Sequence, residues 1–329
     1  MSGAPETARR SRLGPVLWRA GLSFGVLALL LWWLPTGQLV TAISRVPITV
    51  WAIVVAGFVL GHAIAALKWR VLLRATGVDV PVGEVLRAHA AGLFANLCLP
   101  SLVGGDVVRA ILVSHSQRGI ERVVLAGLTD RINDTFALLL LAGAGALLVP
   151  HPPDSGVLRF MLAAAILLPL GAVAAVIAVM WIPTGRLPAV FAKVHDKLRD
   201  GLRNLSRAPF LTLWAGSLSV AIQALFVGLN VMLARAMGIE IAVAIWFLAW
   251  PLAKLIAMAP VSLGGMGVRE LALAGLLAPF GVASADAVAQ SLGWEAVLVA
   301  SGLAAGALAI ATGARIPLGR SSTREGAAV

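Results

Sequence analysis

Pro100-Ser101-Leu102-Val103-Gly104-Gly105-Asp106-Val107-Val108-Arg109 and Pro260-Val261-Ser262-Leu263-Gly264-Gly265-Met266-Gly267-Val268-Arg269 share the pattern P-x-x-x-G-G-x-x-V-R, 160 residues apart. Each copy interrupts an apolar stretch. In lipid, backbone without helical hydrogen bonds persists only where protein or a water-filled cavity surrounds it. Two such breaks, at matching places in two halves, point to a transporter's binding site. Pro100 and Pro260 each end a half-helix, because proline lacks an N–H and clashes with the preceding turn. Gly104 and Gly105, and again Gly264 and Gly265, permit a sharp turn and close approach of a ligand to backbone. Asp106 is placed to cap the returning half-helix. Arg109 and Arg269 lie one turn in, and Glu270 follows Arg269. A helix N-terminus with free N–H groups and an arginine suits phosphate or carboxylate. The alternative is a pair of kinked helices whose arginines snorkel.

Composition decides the environment. Of 329 residues, 60% are hydrophobic and 12% charged, too apolar for a soluble domain. Several runs exceed the roughly 18 apolar residues that mark a span. The net charge of +11 does not imply nucleic acid, because the basic residues lie in short segments beside the spans. One cysteine, Cys98, excludes internal disulfides and a cysteine metal cage. His62, His89, His115, His151 and His195 are scattered singly and suggest packing or interface roles, not a metal site.

The spans follow from hydropathy and flanking charge. Span 1 covers 16–34 and is read as retained: Arg9, Arg10 and Arg12 precede it, but no small-residue cleavage site follows its apolar run. Span 2 covers 47–67; Lys68, Arg70 and Arg74 follow it and mark a cytoplasmic end. Residues 84–113 form the first broken hairpin, with basic flanks. Spans 3 and 4 cover 122–149 and 157–182, joined by an external turn at 150–154. Residues 186–207 are basic and amphipathic, which fits a helix on the anionic inner-leaflet surface or a plain solvated connector. Span 5 covers 209–234, the second broken hairpin 241–281, and span 6 289–311. An odd number of spans separates the hairpins, so they enter from opposite faces. The fold class expected is an all-α polytopic membrane protein: about six spans plus two opposed re-entrant hairpins in an inverted-topology repeat. Its parts are a basic cytoplasmic N-terminus (1–15), a first membrane repeat (16–150), a second (151–315) and a basic cytoplasmic tail (316–329). Trp18, Trp32, Trp33, Trp51, Trp69, Trp181, Trp214 and Trp294 fall near span ends, as interfacial rings do. Gly21/Gly25, Gly57/Gly61 and Gly302/Gly306 form G-x-x-x-G pairs suited to close helix packing.

Span 3 holds the densest polar cluster: Thr129, Asp130, Arg131, Asn133 and Asp134. Asp130 and Asp134 share one helical face, and Arg131 can reach Asp134 at i+3. A charge at such depth costs at least ~2.5–3.5 kcal/mol on the insertion scale, so partners are expected. Two readings stay open: a head-group or proton-coupling site, or a salt-bridge cluster that holds the first hairpin through Arg109–Asp130 or Arg131–Asp106. Asn96, Gln223, Asn230 and Lys254 are further candidates, with Lys254 expected to pair with Glu270. G-x-S-x-G and P-loop patterns are absent, and Gly264-Gly265-Met266-Gly267 lacks the βαβ context of a dinucleotide loop.

Asn96, Leu99-Pro100, Gly104-Gly105-Asp106, Arg109, Asp130-Arg131, Asp134 and Pro260 with Gly264-Gly265-Met266-Gly267-Val268-Arg269-Glu270 resemble the lysylphosphatidylglycerol synthase transmembrane family, over about 16–315. The resemblance implies a flippase-like domain of the bacterial inner membrane that moves lipids between leaflets. Aminoacylated phosphatidylglycerol is the best-known cargo, and free-standing members are associated with hopanoids and glycolipid precursors. Two-part members carry a soluble aminoacyl-transferase domain after the membrane part. With the sequence stopping at Val329, the expectation is a chain that does not itself make the modified lipid.

Three functional classes follow. The first is a flippase for a phosphate-bearing or other polar-headed lipid, without cofactor or metal. Gly104, Gly105, Arg109, Gly264, Gly265 and Arg269 would hold phosphate; Asp106 and Arg131 would line the site; Asp130, Asp134 and Glu270 would hold a cationic group or couple protons. The second is an integral-membrane head-group transferase. The third is a non-transporting partner of a lipid-synthesis enzyme, docked through 186–207. Expected partners are membrane lipids, the anionic leaflet surface, a lipid-synthesis enzyme or a second copy of the chain, and no nucleic acid.

Overall fold

A computed structural model describes residues 36–98, 104–116, 119–149, 156–183, 209–258 and 267–312, with isolated positions between 192 and 203. Among these, all regular structure is helical. The helices are α1 (Thr36–Ser44), α2 (Ile48–Ala75), α3 (Val82–Cys98), α4 (Gly104–Ser116), α5 (Ile120–Leu148), α6 (Gly156–Trp181), α7 (Pro209–Ala236), α8 (Val243–Ala257), α9 (Val268–Leu277) and α10 (Ser284–Ala311); a 3-10 turn, Ala278–Phe280, follows α9. By length and composition α2, α5, α7 and α10 can cross a membrane. The predicted first span, the turn at 150–154, both chain ends, most of 186–207 and the hairpin breaks at 99–103 and 259–266 lie outside the described residues.

The order long, short, short, long occurs twice, as α2–α5 and as α7–α10, each helix starting about 160 residues after its counterpart. The end of the first long helix also recurs. After α2, Val78 N–H reaches Leu73 O at 2.9 Å and Gly77 N–H reaches Arg74 O at 2.9 Å, with Gly77 at φ 82°. After α7, Ile239 reaches Ala234 and Gly238 reaches Arg235, both at 3.0 Å, with Gly238 at φ 90°. Both are Schellman closures, which satisfy the last carbonyls and favour glycine at the left-handed position.

Packing crosses between the halves. Helices α2 and α7 face each other, α3 packs on α10, and α8 packs on α5. Glycines set these approaches. A Cβ on Gly61 would lie 2.5 Å from the Phe226 ring, and one on Gly306 2.5 Å from the Phe94 ring. Gly57 and Gly302 meet Leu229 and Leu97 in the same way, so both described G-x-x-x-G pairs serve helix packing. Gly145 on α5 lies against the backbone of Phe247 and Leu248, where an added Cβ would sit 2.6 Å from the Phe247 carbonyl carbon. Backbone cannot yield as a side-chain tip can, so Gly145→Val is expected to cost about 1–3 kcal/mol or more by overpacking. Thermal unfolding in detergent measures it.

Apolar side chains such as Ile53, Leu60, Phe160, Leu167, Leu303 and Ile310 face outward, while Lys68, Arg109, Asp130, Glu270, Asn230 and Gln290 are buried. That distribution suits a lipid solvent, in which buried polar groups must find partners inside the protein. Gln290 Nε2 donates to Asn230 Oδ1 at 2.7 Å, joining α10 to α7, so Asn230 has a structural partner.

Between α2 and α3, beyond the spans, Arg74 Nε donates to Asp79 Oδ1 at 2.8 Å and holds that carboxyl below its ordinary range. The folded pKa is the lower one, so the contact contributes above the unfolded pKa and is lost as pH falls through the folded one. The pair is exposed and screened. Asp79→Asn is expected to leave the thermal midpoint nearly unchanged at neutral pH and to flatten its fall on acidification.

Candidate functional site

Six charged side chains of the first half alternate in sign. Lys68, on α2, is fully buried and pairs with Asp134 Oδ1; its Nζ also lies 3.0 Å from Asp130 Oδ1, an ion pair outside hydrogen-bond geometry. Arg109 Nη2 donates to Asp130 Oδ2 at 3.0 Å and lies 3.1 Å from Asp106 Oδ1. Arg131 Nε donates to Asp106 Oδ2 at 2.6 Å. The chain therefore runs Asp134–Lys68–Asp130–Arg109–Asp106–Arg131, with three charges of each sign. Ser219 of α7 ties in, accepting from Lys68 at 2.8 Å and donating to Asp134 at 2.7 Å. The Arg109 guanidinium also sits 4.5 Å from the centre of the Trp69 ring, a cation–π contact.

Both predicted pairings, Arg109–Asp130 and Arg131–Asp106, are present. Other expectations are corrected. Arg131 does not reach Asp134, because Asp106 of α4 takes its guanidinium. Asp106 lies in the first turn of α4 with its carboxylate on Arg109 and Arg131; the amide of Gly105 is instead met by Asn96 Oδ1 at 2.8 Å. Gly104 and Gly105 begin α4, and Gly105 lies directly against the Gly92 carbonyl, leaving no room for a side chain. Lys68 is no topology charge: α2 continues to Ala75 and carries it into the core. Trp69 and Trp294 are buried, not interfacial: Trp69 packs in an apolar cluster against Arg109, and Trp294 lines a cavity. Trp181 and Trp214 are exposed as expected.

The second half carries a smaller cluster. Arg269 Nη2 donates to Glu295 Oε2 at 2.6 Å and to Glu270 Oε1 at 3.0 Å, and its Nε donates to Ser291 Oγ at 3.1 Å. Glu270 accepts the Gly267 N–H at 2.6 Å, closing the start of α9 as an N3 glutamate does. With its oxygens on Gly267, Arg269 and Ser291, Glu270 does not pair with Lys254. Lys254 Nζ instead donates to Gln223 Oε1 at 3.0 Å. Gly264 and Gly265 lie outside the described residues.

A cavity of about 810 Å³ is lined by the short helices α3, α4, α8 and α9 and by the long helices α2, α5, α7 and α10. Arg109, Asp130, Arg131 and Asp134 of α4 and α5 line it, as do Lys254, Arg269 and Glu295 of α8, α9 and α10. Aromatic rings form its waist: Phe58 lies 5.1 Å from Phe226 and 5.5 Å from Trp294, and Trp250 lies 5.4 Å from Trp294. His62 Nδ1 and His89 Nε2 are 3.2 Å apart on its wall, so these two are paired and not scattered. Among the described residues no group of three or more metal-ligand side chains occurs. Lys68, Ser219, Ser291, Glu295 and the aromatic waist are additions to the residues legible from sequence.

An apolar exterior over buried ion pairs, with a polar cavity shared by short and long helices of both halves, defines a multi-pass helical membrane protein. Residues 18–306 match the family described as lysylphosphatidylglycerol synthase TM region. The chain belongs to that family, which ties it to a membrane-lipid-related function. No curated protein and no solved structure matches it.

Proposed function

We propose that this protein is a flippase that moves a polar-headed lipid between the leaflets of a bacterial inner membrane. The observation that carries the reading is the cavity of about 810 Å³, lined by charged residues of both hairpins inside an apolar bundle. Its volume falls in the range of small-molecule sites. Its wall offers charges to a head group and an aromatic waist to the glycerol and first acyl carbons.

The matched helix order supports two membrane repeats, 16–150 and 151–315; in this reading they have inverted topology, six spans, two opposed re-entrant hairpins and cytoplasmic termini. Alternating access would then rock one repeat against the other about the α2–α7 contact. The chain itself performs no covalent chemistry in this reading, and uses no cofactor. The basic 186–207 segment rests on the anionic inner leaflet or docks a lipid-synthesis enzyme.

The test is head-group accessibility in proteoliposomes built from a lipid panel. Inner-leaflet head groups are expected to reach an impermeant reagent faster with protein than without. Equal exposure with and without folded protein, across the panel and with a proton gradient in either direction, overturns the reading. A modified head group after incubation with candidate donors would support a transferase instead.

A further inference from the structure

The charges around the cavity do not all cancel locally. In the first cluster three cations meet three carboxylates, each within ion-pair distance. Their charges are occupied, so the cluster presents a net charge of zero. The second cluster has one cation, Arg269, against two carboxylates, Glu270 and Glu295. Glu270 is fully buried and bonded through both oxygens. Glu295 is bonded through Oε2 only, and its side chain is 29% exposed toward the cavity it lines. The surplus negative charge therefore faces the cavity at Glu295.

Lys254 is the converse. It sits near the end of α8, half-buried, and lines the same cavity. Its hydrogen-bond partner is the neutral amide of Gln223; among the described residues no carboxylate is in ion-pair contact with it, and Asp134, whose charge reaches it, is already held by Lys68. A cation at membrane depth without a carboxylate is costly. A ligand anion would relieve that cost, as a ligand cation would at Glu295.

We infer that Lys254 and Glu295 are the two poles of a site for a zwitterionic phosphate ester, with phosphate at Lys254 and ammonium at Glu295. This rests on the flippase reading and deepens it, because it assigns the head-group class and moves its anchors away from Arg109 and Arg269. Those arginines are already paired. The site requires a ligand of zero net charge: a second unpaired anion or cation would have no counter-charge. The same chemistry occurs in a phosphoethanolamine lipid and in free phosphoethanolamine. The Phe226 ring, 5.8 Å from Lys254 Nζ, and the rings of Trp250 and Trp294 on the same cavity wall favour the lipid.

The experiment measures binding and movement separately. Binding is read as the change in tryptophan fluorescence of the detergent-solubilised chain with short-chain phosphatidylethanolamine, short-chain phosphatidylglycerol, a short-chain trimethylammonium lipid or free phosphoethanolamine. The ethanolamine lipid is expected to bind best, and free phosphoethanolamine more weakly. Lys254→Gln is expected to shift preference about tenfold toward the trimethylammonium lipid, and Glu295→Gln about tenfold toward phosphatidylglycerol, because each leaves one pole uncompensated. Equal binding of the three lipids by the parent chain, or parallel loss of all three in both variants with unchanged thermal midpoints, overturns the assignment. Free phosphoethanolamine binding as tightly as the lipid overturns the lipid half of it. Movement of the same lipids in proteoliposomes is scored apart: charge-selective binding without movement overturns the flippase reading and leaves the two-pole site standing.

Discussion

Lys68→Met is expected to be among the most damaging single substitutions in this chain. Lys68 is fully buried, and its ammonium lies between Asp130 and Asp134 while donating to Ser219. Methionine fills a similar volume, so the packing cost is small. The charge cost is not. Removing one partner of a buried ion pair costs about 3–5 kcal/mol, because the other charge stays buried without compensation. Here two carboxylates lose their shared cation, although Asp130 keeps Arg109. The expected result is a large fall in thermal midpoint, or loss of monodisperse protein, at neutral pH. Asp134→Asn alone leaves Lys68 with Asp130 and should be milder. The double variant Lys68→Met/Asp134→Asn removes one charge of each sign and should recover much of the loss. A double-mutant cycle in thermal stability measures the coupling. If the double variant is as unstable as the sum of the singles, the alternating chain is not a coupled unit.

This prediction was not open to the sequence alone, and the reason is local. Hydropathy marks where an apolar run weakens, and at Lys68 it weakens because Arg70 and Arg74 follow. A lysine there reads as topology charge. Only the continuation of α2 to Ala75 puts its side chain in the core. Arg109–Asp130 and Arg131–Asp106 were legible, because an ionisable cluster inside a span demands partners and the hairpin beside it supplied the opposite signs. Glu295 carried the same signal, an acid within the predicted sixth span. The His62–His89 contact had none: the two residues stand on different helices, 27 positions apart. The helix ends at Cys98 and Ala257, shortly before Pro100 and Pro260, were legible because proline and glycine act through backbone geometry, which needs no neighbours. The recurrence of Gly77-Val78-Asp79-Val80 as Gly238-Ile239-Glu240-Ile241 was equally readable, and the Schellman closures at both give it a physical cause.

Arg269→Gln should show how the two halves differ. In the first half Arg109 is one of three cations in a balanced chain, so losing it leaves Lys68 and Arg131 beside the same carboxylates. In the second half Arg269 is the single cation between Glu270 and Glu295. Its loss leaves two carboxylates on neighbouring helices, α9 and α10, with only Gly267 N–H and Ser291 Oγ to hold one of them. The expected cost is about 3–5 kcal/mol at neutral pH, since the group removed is the partner of buried charge. The expected rescue is specific. Arg269→Gln/Glu295→Gln leaves Glu270 on the α9 N-terminus, where the helix dipole favours negative charge, and should be clearly more stable than Arg269→Gln alone. Thermal midpoints of the parent, both singles and the double at neutral pH decide it. If Arg269→Gln folds as well as the parent at neutral pH yet loses lipid binding, the guanidinium contacts the head group directly, and the cavity's phosphate anchor belongs at Arg269 in place of Lys254.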